Sequence, residues 1–323
     1  MVSPMKVTRK LASKSKALQS GFTMVELIIA VGLSAGLLFG VLQIFDSNRQ
    51  SSRMQAGFSE VQEGGRIAVE MLTRDIRMAG SWGCYYVQGV DTSSSTNLQL
   101  HSAPTGVKAD WGRSSVEAFN NAASSTVGGK TTIAGTDRFK IHGAYGVGNA
   151  QVRQPYGGST ASDIIINTGS TSIPAGTEII ISDCTGADIF ANTELDTENS
   201  GTISHAANLR GVYTANSRIA IPFTHEFFIA DNNAGGSSLF RLRNNDPNAD
   251  ELVRNVTDMQ VTYGVGTDGS ASKFIDAPLA SEFEQIISMR VQLTLDSQDN
   301  LNGGAPLQRT YFATANIRNK SIE

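Results

Sequence analysis

The sequence predicts an α+β protein, with one long N-terminal helix packed on a β-rich domain of antiparallel sheet. Three observations predict it. An apolar run from Phe22 to Phe45 holds a single charged residue, Glu26. Beyond it Met54, Phe58, Val61, Ala68, Leu72 and Ile76 recur at spacings of three, four or their multiples, the pattern of an amphipathic helix. After Thr136 the chain becomes a series of short β-type runs bounded by turn residues.

Residues 1–21 carry Lys6, Arg9, Lys10, Lys14 and Lys16 and no acid. The rest of the chain therefore holds 21 of the 26 bases against 30 acids, a net −9 within a total of −4. A body this acidic argues against general binding along a phosphate backbone, and no nucleic-acid partner is expected. As a helix, Phe22 to Phe45 spans roughly 36 Å, enough to cross a bilayer. The basic flank should stay in the cytoplasm, which places everything after Phe45 on the far side of the inner membrane. An ordinary signal anchor is the plain alternative. A removable secretory signal fits less well, because the run is long and no A-x-A-like site closes it near Asp46 to Arg49.

A carboxylate inside such a run costs about 2.5 to 3.5 kcal/mol on insertion scales unless something pairs with it, so Glu26 needs a partner. Its context, Gly21-Phe22-Thr23-Met24-Val25-Glu26, resembles the processing site of type IV prepilins. The resemblance implies removal of a leader, residues 1–21, by the prepilin peptidase between Gly21 and Phe22. It also implies N-methylation of the new Phe22 amine. In a helical filament that amine would neutralise Glu26 of a neighbouring subunit and set the axial register. Gly32, Gly36 and Gly40 line one helical face, and either allow close helix approach or reflect the ordinary glycine content of membrane helices. No proline interrupts the segment from Phe22 through Ala79.

The amphipathic continuation should lay its stripe on the globular domain and stop at Gly80, giving a helix over 22–80 with a transmembrane half at 22–45. Gly57, Gly64 and Gly65 are expected to weaken it, by about 1 kcal/mol each relative to alanine. Ser81 to Gly135, rich in Ser, Thr, Asn and Gly, is expected to be loops with one short helix near Val116 to Asn120. Strands are expected at Arg138 to His142, Asp163 to Asn167, Thr177 to Ser182, Arg218 to Ile229, Ser238 to Arg243, Val256 to Tyr263, Gln285 to Leu295 and Thr310 to Ile317. Alternation is clearest from Met289 to Leu295, which suits a sheet buried on one face. No repeat of 20 to 50 residues occurs, so residues 81–323 are expected to form one β-rich domain.

Internal segments narrow the resemblance. Gly65 to Gly80 with Trp82-Gly83-Cys84, Ile181-Ser182-Asp183-Cys184 with Ala187-Asp188-Ile189-Phe190, Val253 to Gly264, and the closing Ile317-Arg318-Asn319 resemble PilW-type minor pilins. The resemblance runs from Gly21 almost to the C-terminus and is weak between Tyr85 and Thr136. It implies a pilin-like fold and a low-abundance subunit of the type IV pilus, which primes assembly with other minor pilins and caps the fibre. The partners it implies are the peptidase, the other minor pilins, the major pilin and a large tip adhesin. The roles it implies are adhesion and twitching motility. The J-type pseudopilins of type II secretion share the plan and are the nearest rival.

Cys84 and Cys184 lie outside the membrane, where thiols oxidise, and closing a loop of this length would stabilise by about 4 to 5 kcal/mol. One bridge is expected, two small buried thiols being the alternative. Enzyme-like fragments are incomplete. Gly264-Val265-Gly266-Thr267-Asp268-Gly269 satisfies G-x-G-x-x-G, but Ser270 to Pro278 opens no helix. Gly129-Lys130-Thr131 ends like a P-loop, but Ser124 stands where its first glycine belongs. His225-Glu226 begins H-E-x-x-H, but Ile229 replaces the second ligand, and His101, His142 and His205 show no ligand spacing. No catalytic residue, metal or cofactor is expected. Asp246, Asn248 and Asp250 have the 1, 3, 5 spacing of a calcium loop, but Glu251 replaces the turn glycine and Thr257 the bidentate acid, so a solvated hairpin tip is the expectation.

Overall fold

The computed structural model describes residues 21–81, 98–100, 114–157, 163–167, 172–183, 187–195, 197–206, 208–209, 212–215, 217–244, 246–266, 269–301 and 304–318. For 98–100, 149 and 299–301 it describes the backbone alone. The chain divides into two compact units, Met1–Arg53 and Met54–Glu323. Helix α1 (Met24–Met78) gives its first half to one unit and its second half to the other.

Strands β1 (Leu98–Leu100), β2 (Val116–Phe119), β3 (Thr126–Val127) and β4 (Lys130–Thr131) precede the long β5 (Arg138–Gln151). Then come β6 (Ile164–Ile165), β7 (Glu178–Ser182), β8 (Ala187–Ala191), the short α2 (Thr197–Ser200) and β9 (Thr202–Ile203). The last third is β10 (Arg218–Asp231), β11 (Ser237–Arg243), β12 (Asp250–Arg254), β13 (Val256–Val265), β14 (Lys273–Ile275), β15 (Ile286–Leu301) and β16 (Ala305–Asn316).

Two sheets carry the globular unit. In the eight-stranded sheet β10 is central: β5 runs along one edge, while β7 pairs with its start and β11 with its end. The β1–β8 pair is parallel and the other pairs of this sheet are antiparallel. The second sheet is antiparallel throughout, in the order β14-β13-β15-β16. In β15, Met289, Val291, Leu293 and Leu295 are buried while Arg290 is exposed and Gln292 and Thr294 are half-buried, the alternation read from the sequence. These side chains share one core with Phe139, Ile141, Phe227 and Ile229 of the larger sheet and with Val61, Ala68, Leu72 and Ile76 of α1. Asp137, buried just before β5, fastens the two sheets: its carboxylate accepts from Asn121 N–H and from Val261 N–H, each at 2.7 Å. Burial pushes this carboxyl up, and the two backbone donors offset that only in part.

Two expectations are corrected. Val116–Phe119 is a strand and not a helix, because Val116↔Ile141 through Phe119↔Arg138 pair it with β5, and tertiary pairing overrides the helix-forming Glu117 and Ala118. Phe58 is 40% exposed, and the buried stripe of α1 runs instead through Gly57, Val61, Gly65, Ala68, Leu72, Asp75 and Ile76. The glycines are therefore contact positions. A Cβ on Gly65 would enter the Tyr311 ring, one on Gly64 would sit 3.3 Å from methyls of Leu295 and Val253, and one on Gly57 3.2 Å from Ser297 Cβ. Their cost in helix propensity is offset by the close approach they permit.

The helix stops where expected. Gly80 has φ +70°, a conformation that favours glycine, and its N–H donates to the His142 carbonyl at 2.7 Å. Ser81 continues the hook, its carbonyl accepting from Ala144 N–H at 2.6 Å.

Candidate functional site

The described part of the first unit begins with Gly21 and Phe22, and Thr23 caps α1: the Glu26 N–H donates to Thr23 Oγ1 at 3.3 Å. Thr23 and Glu26 thus stand at the spacing of a capping box, and the Glu26 carboxylate lies in the first turn, where the helix dipole favours it. No cation pairs with Glu26 among the described residues. The large apolar side chains from Phe22 to Phe45 are between 39% and 82% exposed. An apolar surface of that extent is covered by lipid or by other protein in an aqueous cell. Gly32, Gly36 and Gly40 have nothing within 4 Å of where a Cβ would stand. By length and composition the helix suits a membrane span.

At the other end of α1 sits a buried charge that is not among the site residues expected from the sequence. Asp75 is 8% exposed, and its Oδ2 accepts from Arg241 Nη1 of β11 at 3.3 Å. His225 Nδ1 of β10 stands 3.6 Å away, within reach of its charge but beyond a hydrogen bond. Burial pushes the Asp75 carboxyl up, but His225, Arg241 and Arg74 outweigh it and hold it below the usual carboxylate range. A second ladder crosses β2, β5 and β10 in register, Glu117↔Lys140↔Glu226, with ammonium to carboxylate distances of 3.8 and 3.6 Å. Arg138 joins Glu226 at 3.3 Å, and His142 Nε2 lies 3.3 Å from Glu117. The His225-Glu226 fragment is thus divided between two ion-pair clusters. The signal available beforehand was Asp75 itself, an acid on an apolar stripe.

The calcium-like spacing falls on a hairpin. Asp246 and Asn248 lie in the β11–β12 turn, whose Ala249 N–H donates to the Gly128 carbonyl at 2.9 Å. Asp250 opens β12, and Arg243 grips its carboxylate through Nε at 2.8 Å and Nη2 at 2.5 Å. That hydrogen bond holds the Asp250 carboxyl below its ordinary range, and a cation would have to displace the guanidinium. Among the described residues no three His, Cys, Asp or Glu side chains group as a metal site. Gly264 and Val265 are the last residues of β13, paired antiparallel with Phe274 and Lys273 of β14. Cys84 and Cys184 lie outside the described residues. Their described neighbours approach the same strand. Ser81 lines a cavity of about 330 Å³ with Arg218, Ile219 and Ala220, the residues of β10 that pair with Ile180 to Ser182 of β7.

No curated protein and no solved structure matches this chain. A family model described as PilW, Type IV Pilus-assembly protein W, matches residues 226–321, the stretch from the middle of β10 through β16. Together with an apolar helix that fits membrane anchoring, that match supports a type IV pilus-associated protein with a role in pilus assembly.

Proposed function

We propose that the chain is a minor pilin that primes type IV pilus assembly and takes its place with other minor pilins in a tip complex, supporting motility and adhesion. The observation that carries this reading is a coincidence of two distant signals: a G-F-T-x-x-E site opening an uncovered apolar helix, and the match over residues 226–321. In the proposal the peptidase cuts between Gly21 and Phe22, the Phe22 amine is methylated, and Glu26 of one subunit receives the amine of another. A carboxylate in the bilayer core is tolerated only with such a partner. Before assembly the globular unit stands in the periplasm on its inner-membrane helix, with the leader cytoplasmic. Afterwards it sits in the fibre against the major pilin, the other minor pilins and a large tip adhesin. The protein acts by structure and not by catalysis. A J-type pseudopilin would share this plan, and the match to a pilus-assembly family is what favours the pilus.

Maturation tests it. Gly21→Trp should leave a chain about 2 kDa heavier, retained in the inner membrane. Intact-mass analysis of sheared wild-type pili should find a methylated Phe22 start, and an unmodified Met1 start there overturns the reading. Glu26→Ala preserves helix propensity, so it should insert normally yet enter fibres in reduced amount. Wild-type incorporation of that variant sinks the amine pairing.

A further inference from the structure

Strand β16 is the outer strand of the four-stranded sheet and pairs only with β15 among the described residues. Open edges are usually blunted by shortness, charge or proline. The opposite edge, β14, has three residues. From Leu307 to Asn316 the β16 edge contains no proline and one charged residue, Arg309. It therefore presents a long backbone template for another strand.

Beside this edge lies a groove of about 860 Å³, walled by α1 on one side, with Tyr311 and Phe312 in its lining. Phe312 is 57% exposed. Arg66, Arg74, Arg77 and Arg318 also line the groove, with Glu70 as the one acid. Arg66 and Arg77 have no acidic partner among the described residues. Four arginines against one acid stand out on a chain that carries −9 beyond its first 21 residues. The groove is large enough for a peptide segment, not merely an ion.

We propose that this edge and groove bind an extended acidic segment of another protein chain, added to β16 as a fifth strand of the sheet. The main chain of the segment pairs with β16, which supplies affinity without sequence preference, and side-chain alternation supplies selectivity. Strand residues alternate between faces. Those on the side of α1 meet Arg66 and Arg77 and are Asp or Glu, since Arg74 already lies 3.4 Å from the Asp75 carboxylate. The others lie along the face that carries Phe312 and are apolar. The proposal is independent of leader cleavage, since a processed and an unprocessed chain carry the same edge.

The test uses the full chain in detergent micelles and two labelled synthetic peptides, one alternating glutamate with valine and the other lysine with valine. Fluorescence anisotropy should show binding of the glutamate peptide alone, weakening as salt is raised. Hydrogen exchange should slow across residues 307–316 when that peptide is present. Arg66→Glu with Arg77→Glu should weaken binding about tenfold or more, while the melting temperature stays at the wild-type value because both side chains are exposed. Four results overturn the proposal: equal binding or no binding of the two peptides; binding without slowed exchange in β16; slowed exchange in β16 at high protein concentration without peptide, which assigns the edge to a second copy; and displacement of the peptide by phosphatidylglycerol vesicles, which assigns the arginines to lipid.

Discussion

The two halves of α1 contain the same residue types and use them in opposite ways. In the first half Gly32, Gly36 and Gly40 face open space and the leucines and isoleucines around them are uncovered. In the second half Gly57, Gly64 and Gly65 are pressed against Ser297, Leu295, Val253 and Tyr311, and Leu72 and Ile76 are 0% exposed. Periodic glycine on a helix therefore marks close approach only where a partner surface exists in the same chain. Where none exists, the pattern leaves a face for something outside it. The second half also has its own buried acid, Asp75, paired with Arg241, whereas Glu26 in the first half has no cationic partner among the described residues.

The sharpest way to break this comparison is to cut the tie expected at the end of the second half. If Cys84 and Cys184 are bridged, reduction should destabilise the globular unit by about 4 to 5 kcal/mol in the chain-entropy model. Tryptic mass spectrometry of non-reduced, alkylated protein should find a linked peptide pair that vanishes on reduction. Two fully alkylated cysteines in protein purified without reductant would remove the bridge from the account. Next comes a paired truncation. Leu72→Ala should cost about 2 to 5 kcal/mol in urea unfolding. Leu38→Ala, in the uncovered half, should leave the same transition unmoved. A smaller difference is expected from Gly65→Ala, which pushes a methyl into the Tyr311 ring and should cost about 1 to 3 kcal/mol, against no change in the globular unit's transition for Gly36→Ala.

The smallest effect is a pH response of two signs. The carboxyl of Asp75 is held below its ordinary range, so the stability it adds is present above its unfolded value near 3.8 and is lost as pH falls through the folded value. Asp75→Asn should therefore weaken the fold at pH 7 and flatten its acid limb. Burial alone pushes Glu178 of β7 up to about 7 from an ordinary 4.5, so its contribution is present below pH 4.5 and is lost as pH rises through 7. Glu178→Gln should raise the melting temperature at pH 8 and leave it unchanged at pH 4. A melting profile that responds to neither substitution contradicts both assignments.

What was legible in the sequence was local. The apolar run, the stop at Gly80 and the alternation from Met289 to Leu295 each follow from residues within one element, and the structure has the helix, its end and the sheet there. Glu26 was conspicuous because a charge among apolar neighbours needs a reason. The hidden features depend on pairing across distance. Val116–Phe119 has no strand signal of its own and is a strand because β5 lies beside it. Asp75 meets Arg241 only through the fold of β10 and β11, and no spacing rule links them. Gly57 and Gly65 read as weaknesses in the sequence because their partners, Ser297 and Tyr311, lie on strands far along the chain.

That last contact has a consequence for the order of events during synthesis. The second half of α1 is made before every described strand, yet its apolar stripe closes on a core that includes β15 and β16, which follow the other described strands in the chain. Non-local closure of this kind is slow, since the intervening chain must be brought together first. As the chain lengthens from its N-terminal end, the stripe of Val61, Leu72 and Ile76 stays incompletely covered until the β15–β16 hairpin joins the core. During that interval the nascent protein shows a greasy helix face and unfilled sheet edges, the combination that invites aggregation. Holding factors have the most to do in that window, and a truncation that removes β16 should be far more damaging to yield than its share of the sequence suggests.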